Sequence, residues 1–148
     1  MAISSSLVTT SFKTQVLQGT HNFTASSGDT FKIALYTNSS SLAAGTATYG
    51  DGTATNEVSG TGYSAGGNTL TSVTPVADGT TAVCDFADTS WTSATITAYG
   101  ALIYNSSESN KSVCVLNFGG DKTCTSGTFT IQFPTADASN AILRLARE

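Results

Sequence analysis

The segment Thr30-Phe-Lys-Ile-Ala-Leu-Tyr-Thr37 alternates apolar residues with residues of mixed character. In an extended chain, Phe31, Ile33 and Leu35 share one side of the backbone. A period of two residues is typical of a strand whose one face rests on a core. The segment therefore predicts a β-strand over residues 30–37.

Short stretches of the same kind follow it along the chain, separated by residues that favour turns. The turn signals include Asp78-Gly79 and Gly119-Gly120-Asp121. The stretches predict strands over residues 69–76, 81–87, 91–99, 101–104, 111–118, 127–133 and 141–145. Seven or eight short strands indicate an all-β fold, an antiparallel β-sandwich that resembles a jelly roll.

One helix is predicted, over residues 10–19, in an N-terminal segment that covers residues 1–29. Phe12, Val16 and Leu17 fall on one face of it, Thr10 or Ser11 can cap its start, and Gly19 suits its end. The chain shows no repeat and no linker, so residues 1–148 are predicted to form a single domain.

Residues 38–68 are rich in Ser, Gly, Thr and Asn and predict a long loop or arm. Such a long excursion is unusual in a compact domain and is often functional, so we expect it to become ordered against a partner. Tyr63 has no local core to join there, which favours a role as an interface anchor. The interface candidates in this segment are Asn56, Glu57, Val58, Gly60, Gly62, Tyr63, Gly66 and Gly67.

The composition limits the possible partners. Ser and Thr number 46 of 148 residues, whereas only 16 residues are charged and the net charge is −4. The balance argues against nucleic acid, which requires a clustered basic patch. No apolar run approaches the ~20 residues that span a bilayer, and the first residues lack the pattern of a signal peptide. We therefore expect no membrane partner, and synthesis in a cytoplasm.

The cysteines match no disulfide or zinc framework, because three of them occur at irregular spacing. Cys84 and Cys114 alternate with apolar neighbours and are predicted to be buried. Cys124 falls in a predicted polar turn and is expected to be the exposed thiol.

No constellation for catalysis, metal binding or cofactor binding is recognisable. The single histidine, His21, lies just after the helix and is expected to be structural or solvated. Asp85 and Asp88 flank a strand end and are expected to be solvated charges. We therefore predict a protein that is not an enzyme, with no catalytic residue, no metal and no cofactor.

Several segments resemble, in the same order, a family of small structural proteins from tailed bacteriophages, similar to the jelly-roll cement proteins that decorate capsids of short-tailed phages. The segments are Thr10-Ser-Phe-Lys13, Leu17-Gln-Gly19, Phe31-Lys-Ile-Ala-Leu-Tyr36, residues 56–70, Trp91 with Ala94-Thr-Ile-Thr-Ala98, Gly100-Ala-Leu-Ile-Tyr-Asn105, Leu116-Asn-Phe-Gly-Gly-Asp-Lys-Thr123 and Gly127-Thr-Phe-Thr-Ile-Gln-Phe-Pro134.

The resemblance implies a virion protein on the capsid surface that bridges and stabilises subunits of the major capsid protein. It implies two partners, the major capsid protein and the chain itself as a homo-dimer or homo-trimer. It carries no catalytic residue.

Two other functions remain open at this point. A tail or fibre module that binds a host surface glycan would need exposed aromatic residues, for which Trp91 and Tyr99 are the candidates. A small polysaccharide depolymerase is disfavoured by the absence of a recognisable catalytic set.

Overall fold

A computed structural model describes residues 3–147 of the chain. The ends of the predicted domain, residues 1, 2 and 148, lie outside the described residues. The elements in chain order are β1 (Leu7–Val8), α1 (Thr10–Leu17), β2 (Phe31–Tyr36), β3 (Asn68–Thr69), β4 (Ser72–Asp78), β5 (Thr81–Phe86), β6 (Thr89–Asn105), β7 (Lys111–Ile131) and β8 (Leu143–Leu145).

The strands form two antiparallel sheets, one of five strands in the order β1-β7-β6-β2-β3 and one of three strands in the order β4-β5-β8. The prediction of an all-β sandwich with one short helix is confirmed. No helix within residues 3–147 is long and apolar enough to cross a membrane.

The central feature is the long ribbon formed by β6 and β7. Their pairing runs from Asn105 opposite Lys111 to Thr89 opposite Ile131. Ala98 pairs with Lys122 and Gly100 with Asn117, so residues 118–121 of β7 form a bulge opposite a single residue of β6.

The predicted strand breaks within this ribbon are therefore wrong. Residues 91–99 and 101–104 belong to one strand, and Gly119-Gly120-Asp121 is a bulge inside β7 and not a turn. Cys124 lies on β7 opposite Ile96, so its predicted place in a polar turn is also wrong. The physical reason is that a bulge absorbs surplus glycines while the strand continues on either side.

Around β2 and residues 100–105 of β6, both faces of the five-stranded sheet are buried, whereas Thr92, Thr95 and Thr97 of β6 are exposed. Phe31, Ile33 and Leu35 of β2 point into the core that lies between the two sheets. Ala34 and Tyr36 point the opposite way, into a second apolar cluster. Residues that cover this second cluster come largely from the N-terminal segment and from the long loop: Ile3, Leu7, Leu42, Tyr49 and Ala54.

The predicted helix is present but shorter than expected, ending at Leu17. Phe12 is buried and Val16 is half-buried, whereas Leu17 is 84% exposed and does not share the buried face. Thr9 precedes the helix, and its side chain makes no capping bond. Its hydroxyl instead donates to the Val113 carbonyl oxygen at 3.2 Å, because Thr9 is buried against β7.

The three cysteines are free thiols. Cys114 is buried, and Cys84 and Cys124 are partly buried and pack against the core between the sheets. Burial raises the pKa of both the Cys84 and the Cys114 thiol to about 12. These two thiols are therefore almost entirely protonated at neutral pH.

We expect Cys124 to react fastest with a small maleimide at pH 8, because a thiol with a pKa of about 12 is ionised in only about one molecule in ten thousand there. The variant Cys124→Ser should lose most of the rapid labelling in the native protein and none of the labelling in urea. Native labelling of Cys114 as fast as that of Cys124 would contradict this assignment.

Candidate functional site

The glycine-rich segment, residues 56–68, lies against the main sheet as an additional, irregular strand. Strand β2 pairs with β6 only along residues 100–105, which we call the upper half of β6. Beside the lower half, residues 89–99, the glycine-rich segment lies in the place of β2, since the Thr95 N–H donates to the Thr61 carbonyl oxygen at 2.9 Å. The Asn68 side chain also donates to the Ser90 carbonyl oxygen at 2.9 Å. The segment thus completes the sheet beside the lower half of β6.

Two glycines allow this close approach. Gly67 has φ +69°, and a Cβ atom there would overlap the backbone carbonyl of Ile33. Gly62 has φ +80°, and a Cβ atom there would lie 2.7 Å from the Cα of Ala94. Residues with a side chain rarely adopt this conformation and would not fit these gaps. The backbone of the segment therefore lies close against the chain's own strands, whereas the sequence suggested a neighbouring subunit.

The carboxylate of Glu57 connects the segment to the sheet. Its Oε1 accepts hydrogen bonds from the Tyr63 hydroxyl at 2.6 Å and from the Gly66 N–H at 2.7 Å. Its Oε2 accepts one from the Tyr49 hydroxyl at 2.9 Å. The Tyr63 oxygen in turn accepts from the Leu35 N–H at 2.9 Å. Hydrogen bonds to an ionised acceptor are stronger than neutral ones, so this cluster fixes the loop firmly.

Two further tyrosines complete what we call the Glu57 cluster. Tyr104 donates to the Gly66 carbonyl oxygen at 2.8 Å, and its ring stacks on that of Tyr49 at 4.6 Å between centroids. The Tyr36 hydroxyl is buried without a hydrogen-bond partner among the described residues. Burial raises the pKa of Tyr49 to about 12 and raises the pKa of Tyr36, Tyr63 and Tyr104 as well. The four hydroxyls therefore stay protonated near neutral pH, and those of Tyr49, Tyr63 and Tyr104 serve as donors.

The structure divides the predicted interface residues into two groups. Val58 and Gly66 are buried, and Glu57 and Tyr63 are occupied in the Glu57 cluster. The expectation that Tyr63 has no core to join is wrong, because its ring centroid lies 5.9 Å from that of Trp91 and the side chain packs against the core. Asn56, Gly60 and Gly62 are exposed and Gly67 is partly exposed, so an interface role for these four stays a prediction.

A second surface was not predicted from the sequence. Four large apolar side chains are exposed among the described residues: Leu17, Val73, Val76 and Leu145, at 84%, 42%, 55% and 62%. Leu17 and Leu145 line one cavity of about 450 Å³, and Pro75, which lies between the two valines, lines it too. The two most exposed of the four, Leu17 and Leu145, thus line the same depression, whereas Val73 and Val76 do not line it. Contiguous apolar exposure of this kind marks interaction sites.

This depression, which we call the α1–β8 groove, lies between helix α1 and the three-stranded sheet. The helix contributes Phe12, Val16 and Leu17. The sheet contributes Ala82, Cys84, Leu143 and Leu145, which share its inner face because Ala82 pairs with Leu145 and Cys84 with Leu143.

Only two charged residues line the groove, and both are cations. They are Lys13 on the helix and Arg144 on β8, and neither forms an ion pair within residues 3–147. The Arg144 guanidinium donates to the Ala138 carbonyl oxygen at 3.2 Å and also to that of Ser139. The local charge is therefore positive on a chain whose net charge is −4.

The sequence contained part of the signal for this groove. The apolar face of α1 was readable from Phe12, Val16 and Leu17, and the alternation in Leu143-Arg-Leu145 was readable as a strand. Neither pattern indicates whether the apolar face is covered. Only the structure shows that the helix and the small sheet stand apart and leave the outer ends of both faces uncovered.

The other residues considered as candidates for catalysis or ligand binding have structural contacts. His21 Nε2 lies 2.8 Å from Gln15 Oε1, and Nδ1 lies 3.0 Å from the Asn105 side-chain nitrogen. Burial lowers the pKa of His21. Trp91 is only 4% exposed, so its ring is not available to stack on a sugar. Within residues 3–147, no group of three or more potential ligands is arranged to hold a metal ion.

Asp85 is buried, and its predicted exposure at a strand end is wrong. Alternation on β5 turns its side chain to the face shared with Val83, which is itself buried. One carboxylate oxygen accepts from the Phe86 N–H at 2.8 Å, and the other has no hydrogen-bond partner among the described residues. Burial raises the pKa of this carboxyl group.

Comparison with models of protein families, with curated protein sequences and with solved structures finds no match to this chain.

We expect Gly67→Ala to lower the free energy of unfolding by at least about 3 kcal/mol, because the added Cβ meets the Ile33 backbone in addition to the unfavourable φ. Gly79→Ala is the matched control, since φ is +60° there and a Cβ meets nothing within 4 Å. The control should cost only about 1–2 kcal/mol. Equal losses for the two variants in urea unfolding would show that residues 56–68 do not pack against β2.

We expect Asp85→Asn to stabilise the protein at pH 7. Because the pKa of Asp85 is raised in the folded state, the wild-type protein loses stability as pH rises from the unfolded value of about 3.9 through the folded pKa. The variant should lack that loss, so the difference should disappear below pH 3.9. Urea unfolding at several pH values measures it, with the exposed Asp121→Asn as the control for a charge change. A destabilised Asp85→Asn protein at pH 7 would refute the interpretation.

Proposed function

We propose that this chain is a non-enzymatic structural protein of a tailed-phage virion, and specifically a cement protein that binds the capsid surface and bridges subunits of the major capsid protein. The observation that carries the proposal is the apolar α1–β8 groove, which is lined by the two most exposed large apolar side chains described, Leu17 and Leu145. A surface of this kind favours a protein partner.

The fold supports a bridging role by its construction. The five-stranded sheet is covered on both faces around β2, and the Glu57 cluster connects the long loop to it. A domain built in this way can carry force between two bound capsid subunits without first unfolding its long loop. The rest of the surface is rich in hydroxyl groups, which suits the polar rim of an interface formed with a preassembled shell.

The virion assignment follows the resemblance noted in the sequence, in which several segments occur in the same order as in small virion proteins of tailed phages. The resemblance also underlies the second proposed partner, a further copy of this chain in a dimer or trimer.

The alternative of a glycan-binding tail or fibre module has less support. A glycan platform needs an exposed aromatic face, and the two sequence candidates are Trp91 and Tyr99. Trp91 is buried and Tyr99 is half-buried against the second apolar cluster. Neither ring is fully exposed, and that of Trp91 is not available for stacking.

We expect the protein to fractionate with heads when purified virions are separated into heads and tails and quantified by mass spectrometry. Heads lacking the protein should break at lower temperature, and added recombinant protein should restore their resistance, because the bridge joins neighbouring subunits. Recovery with the tails, or binding of the recombinant protein to host polysaccharide and not to heads, would refute the cement function and favour a fibre module.

A further inference from the structure

We infer that the α1–β8 groove is the docking site for an extended, apolar segment of the partner that carries carboxylate groups. The chemistry of this segment is argued from the groove alone. Its assignment to the major capsid protein rests on the proposed function.

The first step is the shape of the groove and its apolar lining. Its volume of about 450 Å³ lies within the range of sites that enclose a ligand. Apart from Lys13 and Arg144, every residue that lines it is apolar. Leu17 of α1 and Leu145 of β8 both line the groove and are the two most exposed large apolar residues described. An apolar side chain inserted between them would remove both from water.

The second step is the backbone of β8, which is an edge strand of the three-stranded sheet. Edge strands present unpaired N–H and C=O groups to which an extended chain can add. The opposite edge, β4, contains Pro75 and a register shift between Val73 and Val76, and both features hinder further pairing. The receptive edge is therefore β8, whose Leu143 and Leu145 line the groove. An extended segment fits this edge better than a helix does.

The third step is charge. Lys13 and Arg144 line the groove without a carboxylate among the lining residues, although acidic residues outnumber basic ones by ten to six in the chain. A segment with carboxylates beside its apolar residues would complement both cations. A segment with lysines would be repelled.

The same charges argue against a second copy as the occupant. A two-fold contact places the same patch of both copies face to face. Lys13 and Arg144 would then meet their own counterparts. We therefore assign the groove to a different partner, and self-association to another surface.

The direct test uses a synthetic hexapeptide of alternating valine and glutamate, with a valine–lysine hexapeptide as its control. Binding to the ¹⁵N-labelled full chain is followed by NMR titration. We expect the glutamate peptide to shift the amide signals of Lys13, Leu17 and residues 143–145, and the lysine peptide to leave them unchanged.

Two groove variants and two matched controls sharpen the test. Lys13→Glu should weaken binding of the glutamate peptide about fivefold, which is the loss of one exposed charge pair, and should permit binding of the lysine peptide. Leu17→Ser should weaken it at least as much. Lys122→Glu and Val76→Ser make the same kinds of change at exposed positions that do not line the groove, and they should bind like wild type.

The inference is overturned if neither peptide binds at millimolar concentration, if both bind equally, or if the shifts map elsewhere. It is also overturned if analytical ultracentrifugation shows a dimer that Leu17→Ser dissociates, because the occupant is then a second copy.

Binding to purified heads separates this inference from the proposed function. Peptide binding without head binding by wild type refutes the cement role and leaves the groove assignment intact. Head binding that Lys13→Glu and Leu17→Ser leave unchanged refutes the groove assignment and leaves the cement role intact.

Discussion

The carboxylate of Glu57 connects the long loop, the glycine-rich segment and, through Tyr63, strand β2. It collects donors from the Tyr49 and Tyr63 hydroxyls and from the Gly66 backbone. Loss of this acceptor would leave three donors unsatisfied in a half-buried site, at a cost of roughly 1–3 kcal/mol for each buried donor. Because residues 56–68 border the lower half of β6, this side chain contributes to the cover along that part of the main sheet.

The cover over the second face of the sheet depends on the same connection. Tyr36, Tyr49 and Tyr104 lie around Glu57, and Leu42 and Ala54 pack beside them. What looks in the sequence like an excursion is therefore a lid over an apolar layer. For this reason we place the proposed interaction surface at the α1–β8 groove, where apolar side chains stay uncovered.

The fold class was predictable from the sequence because alternation is a local property. The conformation of residues 30–37 and of each later apolar stretch can be predicted from its own residues. The number of predicted strands favours a sandwich. The boundaries inside β6 and β7 were not predictable, since Gly119-Gly120-Asp121 has the composition of a turn and only the opposing strand makes it a bulge. The burial of Tyr63 was hidden for a similar reason, because its partners Leu35 and Trp91 are distant in sequence. The groove depends on the space between helix α1 and the three-stranded sheet, and the local sequence pattern of either element does not predict that space.

The account rests on the claim that residues 56–68 belong to the folded body of the free protein. Hydrogen exchange of the unbound chain at individual amides tests it most directly. We expect the N–H groups of Val58, Gly66 and Thr95 to be protected as strongly as those in the middle of β6, because each donates within the body. Exchange of Val58 and Gly66 at the rate of an unstructured peptide would contradict the account and identify the segment as an arm that becomes ordered only on a partner.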